Sequence, residues 1–335
     1  MKEYANHHVL AKDLPHELQD RINALSSRAR REGNMQVKLF EQAIIENTFE
    51  DEPHAPSICI INEFDDELTP PLEFHYSNLM WHGEGVPKPD VANLQGCGCI
   101  GPCDPKSKTC RCLVHQKQYW SDGPGFLYQE EGRNKGQLKI FDYPIFECND
   151  FCGCSEDCPN RVVQHGRKYP IEIRKTQLKG WGVFAGHKKI PRNTYLGIYA
   201  GEYLMDAEAE RRGILYNKFG RTYLFDVDFY HLRAGQDDWS PKYSIDAYHT
   251  GNNHSCDPNC FINPCYINEA NLDKPLLTIF TQRDVLPGEE LCFSYRGNED
   301  EDEDAAKDSE GGENGDAIYI KCRCGAANCK GRMWK

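Results

Sequence analysis

Asn253-His254-Ser255-Cys256-Asp257-Pro258-Asn259 sets an amide, an imidazole, a hydroxyl and a thiol side by side, in a stretch that Pro258 and two asparagines bend into a tight turn. An Asn/Pro loop with a structural cysteine has the same composition, so residue chemistry alone leaves both a packing role and a functional one open. Working outward, the strand-like Leu291-Cys292-Phe293-Ser294-Tyr295 follows it and Gly180-Trp181-Gly182 precedes it. Short strand-forming segments surround these: Ile171 to Arg174, Gly182 to Ala185, Thr194 to Tyr199, Thr222 to Phe229, Leu277 to Thr281 and Leu291 to Tyr295. Turns such as Lys179-Gly180 and Pro287-Gly288 separate them, which predicts a mainly β domain. One helix is expected inside it, Asp206 to Gly213, with its acids first and Arg211-Arg212 last, as the helix dipole favours.

The seventeen cysteines are grouped rather than scattered. Nine fall in two groups: Cys97, Cys99, Cys103, Cys110 and Cys112, then Cys148, Cys152, Cys154 and Cys158. Paired disulfides would leave one of these over, and a long chain without a secretory signal belongs to a reducing compartment, where such spacing reads as zinc. Three tetrahedral zinc ions need twelve ligand positions, which nine thiolates supply if three of them bridge. Two separate four-cysteine sites with a spare thiol are the alternative. The stretch from Leu113 to Glu147 is then a loop closed by the metals, and metal binding supplies folding free energy to a module with little apolar surface. Near the C-terminus Cys322, Cys324 and Cys329 offer three more thiolates, one short of a closed site. Cys59, Cys260, Cys265 and Cys292 fit neither set and are expected to be buried or inert.

The 335 residues are 39% hydrophobic, enough for one or two globular domains with a real core. No apolar run is long enough to span a membrane, and Met1 to Leu10 lacks the pattern of a signal peptide, so a cytosolic or nuclear location is expected. The net charge of −13 is concentrated: ten acidic residues and one lysine lie between Glu299 and Asp316. That stretch is expected to be a solvated loop. Such acidity argues against DNA as the main partner and favours a basic one. A zinc-based nucleic-acid binder would need a basic stripe, and the charges between Cys97 and Cys158 are mixed. Upstream, Leu18, Ile22 and Leu25, then Val37, Phe40 and Ile44, follow helical spacing on either side of Gly33, predicting two amphipathic helices that pack on the body of the protein. A strand over Ile58 to Ile61 leads into a Pro/Gly-rich linker.

The Asn-His-Ser-Cys turn, the Gly-Trp-Gly before it and the Phe-x-Tyr after it together resemble the signature of SET-domain protein lysine methyltransferases. The nine cysteines resemble the pre-SET region of that family and the CxCx4C resembles its post-SET segment. The likeness is greatest to the suppressor-of-variegation class acting on lysine 9 of histone H3, of fungal type without a chromodomain. It covers about residues 50 to 335. The resemblance implies a fold of small curved β-sheets with a knot-like core. With the residue patterns read above, the expected division is an N-terminal helical segment (1–52), a strand and linker (53–96), a pre-SET three-zinc cluster (97–163), a SET catalytic domain (164–297), an acidic disordered loop (298–317) and a post-SET zinc segment (318–335).

It further implies that Cys256 closes the fourth position of the C-terminal zinc site, folding that end back on the active site. By the same resemblance Tyr295 is the catalytic tyrosine and Tyr199 lines the lysine channel. Lys179, Gly180, Trp181, Gly182, Tyr223, Asn253 and His254 match residues that hold S-adenosyl-L-methionine, and Trp334 covers it. Phe293 occupies the channel position where relatives carry Phe or Tyr, and Phe leaves room for di- or trimethylation. A histone H3 tail as substrate, chromatin-associated recruiting factors and a nuclear, heterochromatic location are implied as well. One departure stands out: Gly251-Asn252 runs straight into Asn253-His254, where relatives place about five further residues. It leaves a second reading, a catalytically inactive histone-binding scaffold.

Overall fold

The computed structural model describes residues 15–72, 74–218, 223–229, 232, 241–247, 253–295 and 322–331. The N-terminal periodicity yields three helices rather than two: α1 (Pro15–Asn23), α2 (Ser27–Glu32) and α3 (Asn34–Thr48). The Ser26 hydroxyl caps α2 by accepting from the Ala29 N–H at 3.2 Å. Gly33, at φ +70°, then breaks the chain between α2 and α3. Leu18, Ile22, Phe40 and Ile44 all enter the main core, whereas Leu25 lies in the turn after α1. Among the described residues no helix is long and apolar enough to cross a membrane.

The expected apolar strand is present as β1 (Cys59–Ile61), which pairs in parallel with β4 (Ile171–Thr176). A hairpin joins β4 to β5 (Gly180–Ala185). Its turn is closed by Thr176, whose hydroxyl accepts from the Lys179 N–H at 3.0 Å and donates to the Gly180 carbonyl at 2.8 Å. Gly180 sits at φ +75°, a conformation L side chains rarely adopt. A four-stranded sheet follows in the order β2 (Met80–His82), β7 (Gly201–Met205), β9 (Tyr243–Asp246), β8 (Leu224–Asp226). Another has the order β3 (Ile145–Phe146), β11 (Cys260–Tyr266), β12 (Leu276–Thr281), β6 (Tyr195–Ile198). Finally β10 (Asn253–His254) runs parallel to β13 (Cys292–Phe293), with His254 opposite Phe293. This pairing brings together the two stretches that dominate the sequence.

Several expected bounds change. The expected strand over 222–229 is reduced to Leu224–Asp226 within the described residues, and that over 291–295 to Cys292–Phe293. The helix expected to stop at Gly213 continues as α5 (Asp206–Lys218). A mid-helix glycine costs only about 1 kcal/mol relative to alanine. Arg212 offsets that cost by binding Glu202 at 2.7 Å and Asp246 at 2.8 Å, which fastens α5 to β7 and β9. The segment read as a metal-closed loop from Leu113 opens within a helix, α4 (Arg111–Tyr119), whose Leu113 and Gln116 are buried.

One continuous core unites the N-terminal helices and the strands, and a second, thiol-rich core includes Leu113 and Phe126. Between β2 and the first cysteines the chain is held by a fully buried ion pair. The Lys274 ammonium reaches Glu269 at 2.8 Å and donates to the carbonyls of Pro87 and Lys88 at 2.8 and 3.1 Å. Glu269 also accepts from the backbone N–H of Asp90 and of Asn271.

Candidate active site and thiol centres

The parallel β10–β13 pair places three aromatic rings at one point. Tyr199 meets Phe293 edge-on at 5.8 Å, and Phe293 lies 5.0 Å from Tyr295. The Tyr199 hydroxyl donates to the Tyr223 carbonyl at 3.1 Å, which fixes its ring. Burial raises the phenol pKa of both Tyr199 and Tyr295, so each stays neutral well beyond the range of a free tyrosine. Asn259 locks the turn to this strand: its side chain accepts from the Cys292 N–H at 2.9 Å and donates to the Glu290 carbonyl at 2.7 Å. Sequence reasoning assigned Asn259 no role, because a turn asparagine looks the same whether or not it clamps a distant strand.

His254 connects the ring cluster to the C-terminal thiols. Its Nδ1 accepts from the Tyr295 N–H at 3.1 Å, and its Nε2 lies 3.4 Å from the Cys256 sulfur. Because Nδ1 is an acceptor, the ring proton sits on Nε2 and points at that sulfur. Burial raises the pKa of the Cys256 thiol, so a cation among the four sulfurs is what would let it accept that proton as a thiolate. Cys256, Cys322, Cys324 and Cys329 gather their sulfurs within 4.8 Å of one another, and Cys256 and Cys322 are 3.8 Å apart. Asn328 braces the turn by donating to the Cys256 carbonyl at 3.0 Å.

The nine upstream thiols form one interleaved centre rather than two separate sites. Three groups can be drawn: Cys97, Cys103, Cys148 and Cys154; Cys99, Cys103 and Cys110; and Cys112, Cys148 and Cys152. Cys103 and Cys148 each belong to two groups, as bridging ligands would, and Cys158 lies 3.9 Å from Cys148. A tetrahedron with metal–sulfur bonds of about 2.3 Å has edges of about 3.8 Å. The observed separations of 3.7 Å for Cys103–Cys148 and 3.5 Å for Cys112–Cys152 fit it. The thiols also divide protons unequally: the pKa of Cys148 is pushed up by its thiol neighbours, Cys103 first, while that of Cys152 is pulled down by Cys112. All nine can ionise together only with cations among them, so the donor set suits zinc. None of the seventeen cysteines is in a disulfide.

In front of the rings opens a cleft of about 590 Å³. Its walls include Phe293, Tyr295, Asn328 and four aspartates, Asp142, Asp226, Asp228 and Asp257, with no lysine or arginine among the described lining residues. Asp142 comes from the cysteine-flanked region and takes φ +70°, uncommon for a residue other than glycine. Asp226 and Asp228 are two positions apart in the chain, and the fold brings the distant Asp142 into the same lining.

The remaining predicted residues are placed more loosely. Lys179 is ion-paired with Glu290. Trp181 sits on β5, with the Lys175 ammonium 5.5 Å from its ring centre. Tyr223 supplies the carbonyl that holds Tyr199. The backbone of Asn253 is in β10, but its side chain, Gly251-Asn252, the acidic stretch and Trp334 lie outside the described residues.

Profiles of known families match twice: the Pre-SET motif over residues 50–161 and the SET domain over residues 180–296. A histone-lysine N-methyltransferase of Xenopus tropicalis, SUV39H2, is 35% identical across 89% of this chain and 70% of its own length. The chain belongs to the SET-domain histone-lysine N-methyltransferase family. An H3 lysine-9-specific member from Cryptococcus neoformans is 37% identical over 88% of this chain but only 20% of that protein, and a Schizosaccharomyces pombe relative is covered to 56%. The chain thus spans about half or less of several of the curated relatives it matches. Among solved structures, KRYPTONITE in complex with mCHH DNA, H3(1-15) peptide and SAH superposes with a TM-score of 0.64, at 27% identity over 83% of this SET-domain chain and 51% of that one.

Proposed function

We propose that the protein is an S-adenosyl-L-methionine-dependent lysine methyltransferase acting on lysine 9 of the histone H3 tail. The observation that carries this is the convergence of Tyr199, Phe293 and Tyr295 behind an acidic cleft. The four aspartates attract a basic peptide and orient it. Free lysine has a pKa of about 10.4, and the attacking amine must be neutral. An aromatic channel raises the cost of the ammonium form, so the side chain releases its proton to solvent as it enters. The cofactor supplies an electrophilic methyl group on a sulfonium. Tyr295, kept neutral by burial, offers a hydroxyl to align the amine nitrogen, and Tyr199 and Phe293 confine it. Lys179, Gly180, Trp181, Tyr223, Asn253 and His254 would hold the cofactor, with Trp334 covering it. The nine upstream thiols would carry three zinc ions and the Cys256 group one. Through His254, the latter would brace the Tyr295 backbone, as outer-shell contacts to ligands do.

Phe293 carries no hydroxyl, so the channel admits successive methyl groups, and the products are di- and trimethyl-lysine. A nuclear site of action on chromatin, with factors that recruit the protein there, follows from such a substrate. Among the described residues nothing favours the scaffold reading, since the rings, the Asn259 clamp and the His254 link are all assembled. The test is transfer of labelled methyl to an H3 tail peptide and to the same peptide with lysine 9 replaced by alanine. Loss of signal on the replaced peptide alone is expected. Absence of transfer to either, from zinc-loaded and cofactor-binding protein, would overturn the proposal.

A further inference from the structure

Phe293 borders a second space besides the cleft. A cavity of about 50 Å³ lies where β5, β6, β12 and β13 meet beneath residues 74–77, lined by Val183, Leu196, Gly197, Ile279, Leu291 and their neighbours. Its described lining shares only Cys260 and Phe293 with the cleft, so these two residues are the partition between them. Packed side chains rarely leave gaps larger than a water molecule, and this pocket, which is not sealed from solvent, exceeds what a single water requires. Its lining is more apolar than polar, with Tyr76 and Ser77 beside aliphatic and aromatic side chains.

Gly197 marks where the space is kept. Its φ is not in the left-handed region, so the backbone does not call for glycine. A Cβ there would meet only the Tyr76 hydroxyl, at 3.9 Å. We infer that the cavity is recoil space for Phe293, and that Gly197, by leaving it open, sets how many methyl groups the lysine channel admits. The inference rests on the reading of Tyr199, Phe293 and Tyr295 as that channel. Each turnover forms one nitrogen–carbon bond, breaks the sulfonium's carbon–sulfur bond and returns a neutral thioether, the amine having first lost its proton to water. Each also leaves a bulkier nitrogen that must turn to present its lone pair again. In a close-packed wall that extra volume has nowhere to go; with a void behind Phe293 the ring can move back.

The experiment compares the native chain with Gly197→Ala and Gly197→Val, using unmodified and dimethylated H3 tail peptides and mass spectrometry of the products. Both variants should transfer the first methyl within about twofold of the native rate. On the dimethylated peptide Gly197→Val should be at least tenfold slower and Gly197→Ala intermediate, so that products accumulate at mono- and dimethyl-lysine. Ile279→Val, which enlarges the cavity, should speed the third transfer instead. Xenon should give a saturable 129Xe shift with the native chain and lose it in Gly197→Val. Should Gly197→Val fail to fold, Gly197→Ala, with its single added methyl, carries the test. Native product ratios in the folded variants would overturn the inference while leaving the methyltransferase reading intact. No transfer by the native chain to either peptide would overturn that reading itself.

Discussion

The ion pair of Lys274 and Glu269 lends itself to a quantitative test. Lys274 is fully buried, and the acceptors of its ammonium include Glu269 and the carbonyls of Pro87 and Lys88. Glu269, equally buried, accepts from two backbone N–H groups besides. Lys274→Met keeps most of the volume but leaves a carboxylate without its cation, and breaking one side of a buried pair costs about 3–5 kcal/mol. At roughly 2–4 °C per kcal/mol for a large domain, the melting temperature should fall by about 6–20 °C. Replacing both partners, Lys274→Met with Glu269→Leu, removes the stranded charge. It also deprives the Asp90 and Asn271 N–H groups of their acceptor, at about 1–3 kcal/mol each. The double variant should therefore recover only part of the loss. Calorimetry in zinc-replete buffer is the assay. A fall of less than about 2 °C for Lys274→Met would refute the reasoning, because it would mean that the Glu269 charge is not desolvated.

Other expectations concern the site. Chelation should unfold the cysteine-rich region and abolish activity together, and metal analysis of the native chain should return four zinc ions. Tyr295→Phe should lower kcat by about 10²–10³-fold with KM nearly unchanged, the usual cost of deleting one hydroxyl aimed at the reacting atoms. Asp228→Asn should raise KM for the H3 peptide about threefold, with the difference shrinking as salt is added, since it removes one exposed charge from the cleft. Burial raises the pKa of Tyr199 and Tyr295. Their contribution to stability is therefore complete below the free-tyrosine pKa of about 10 and is lost as pH rises above it. Alkaline unfolding of the native chain should consequently be steeper above about pH 10 than that of Tyr295→Phe, measured by circular dichroism.

By itself the sequence determined the elements that depend on local chemistry. Thiol spacing announced metal centres, because ligands to one ion must be near in space and short spacers guarantee that. The β-rich middle was legible from period and turn residues, and the Asn-His-Ser-Cys turn with Phe293 and Tyr295 from the kinds of side chain gathered there. Lengths were less legible: α5 outruns Gly213 because Arg212 ties it to Glu202 and Asp246, residues from other strands. Only the tertiary structure decided which distant groups meet. The parallel pairing of His254 with Phe293, the Asn259 clamp on Cys292 and the sharing of Cys103 and Cys148 between thiol groups join residues up to 57 positions apart, the separation of Cys97 and Cys154. Asp142 joining the aspartates of the cleft, and the void behind Phe293, belong to the same class. The physical reason is that a residue's type limits the contacts it can make, while the packing of separate strands selects the ones it does make.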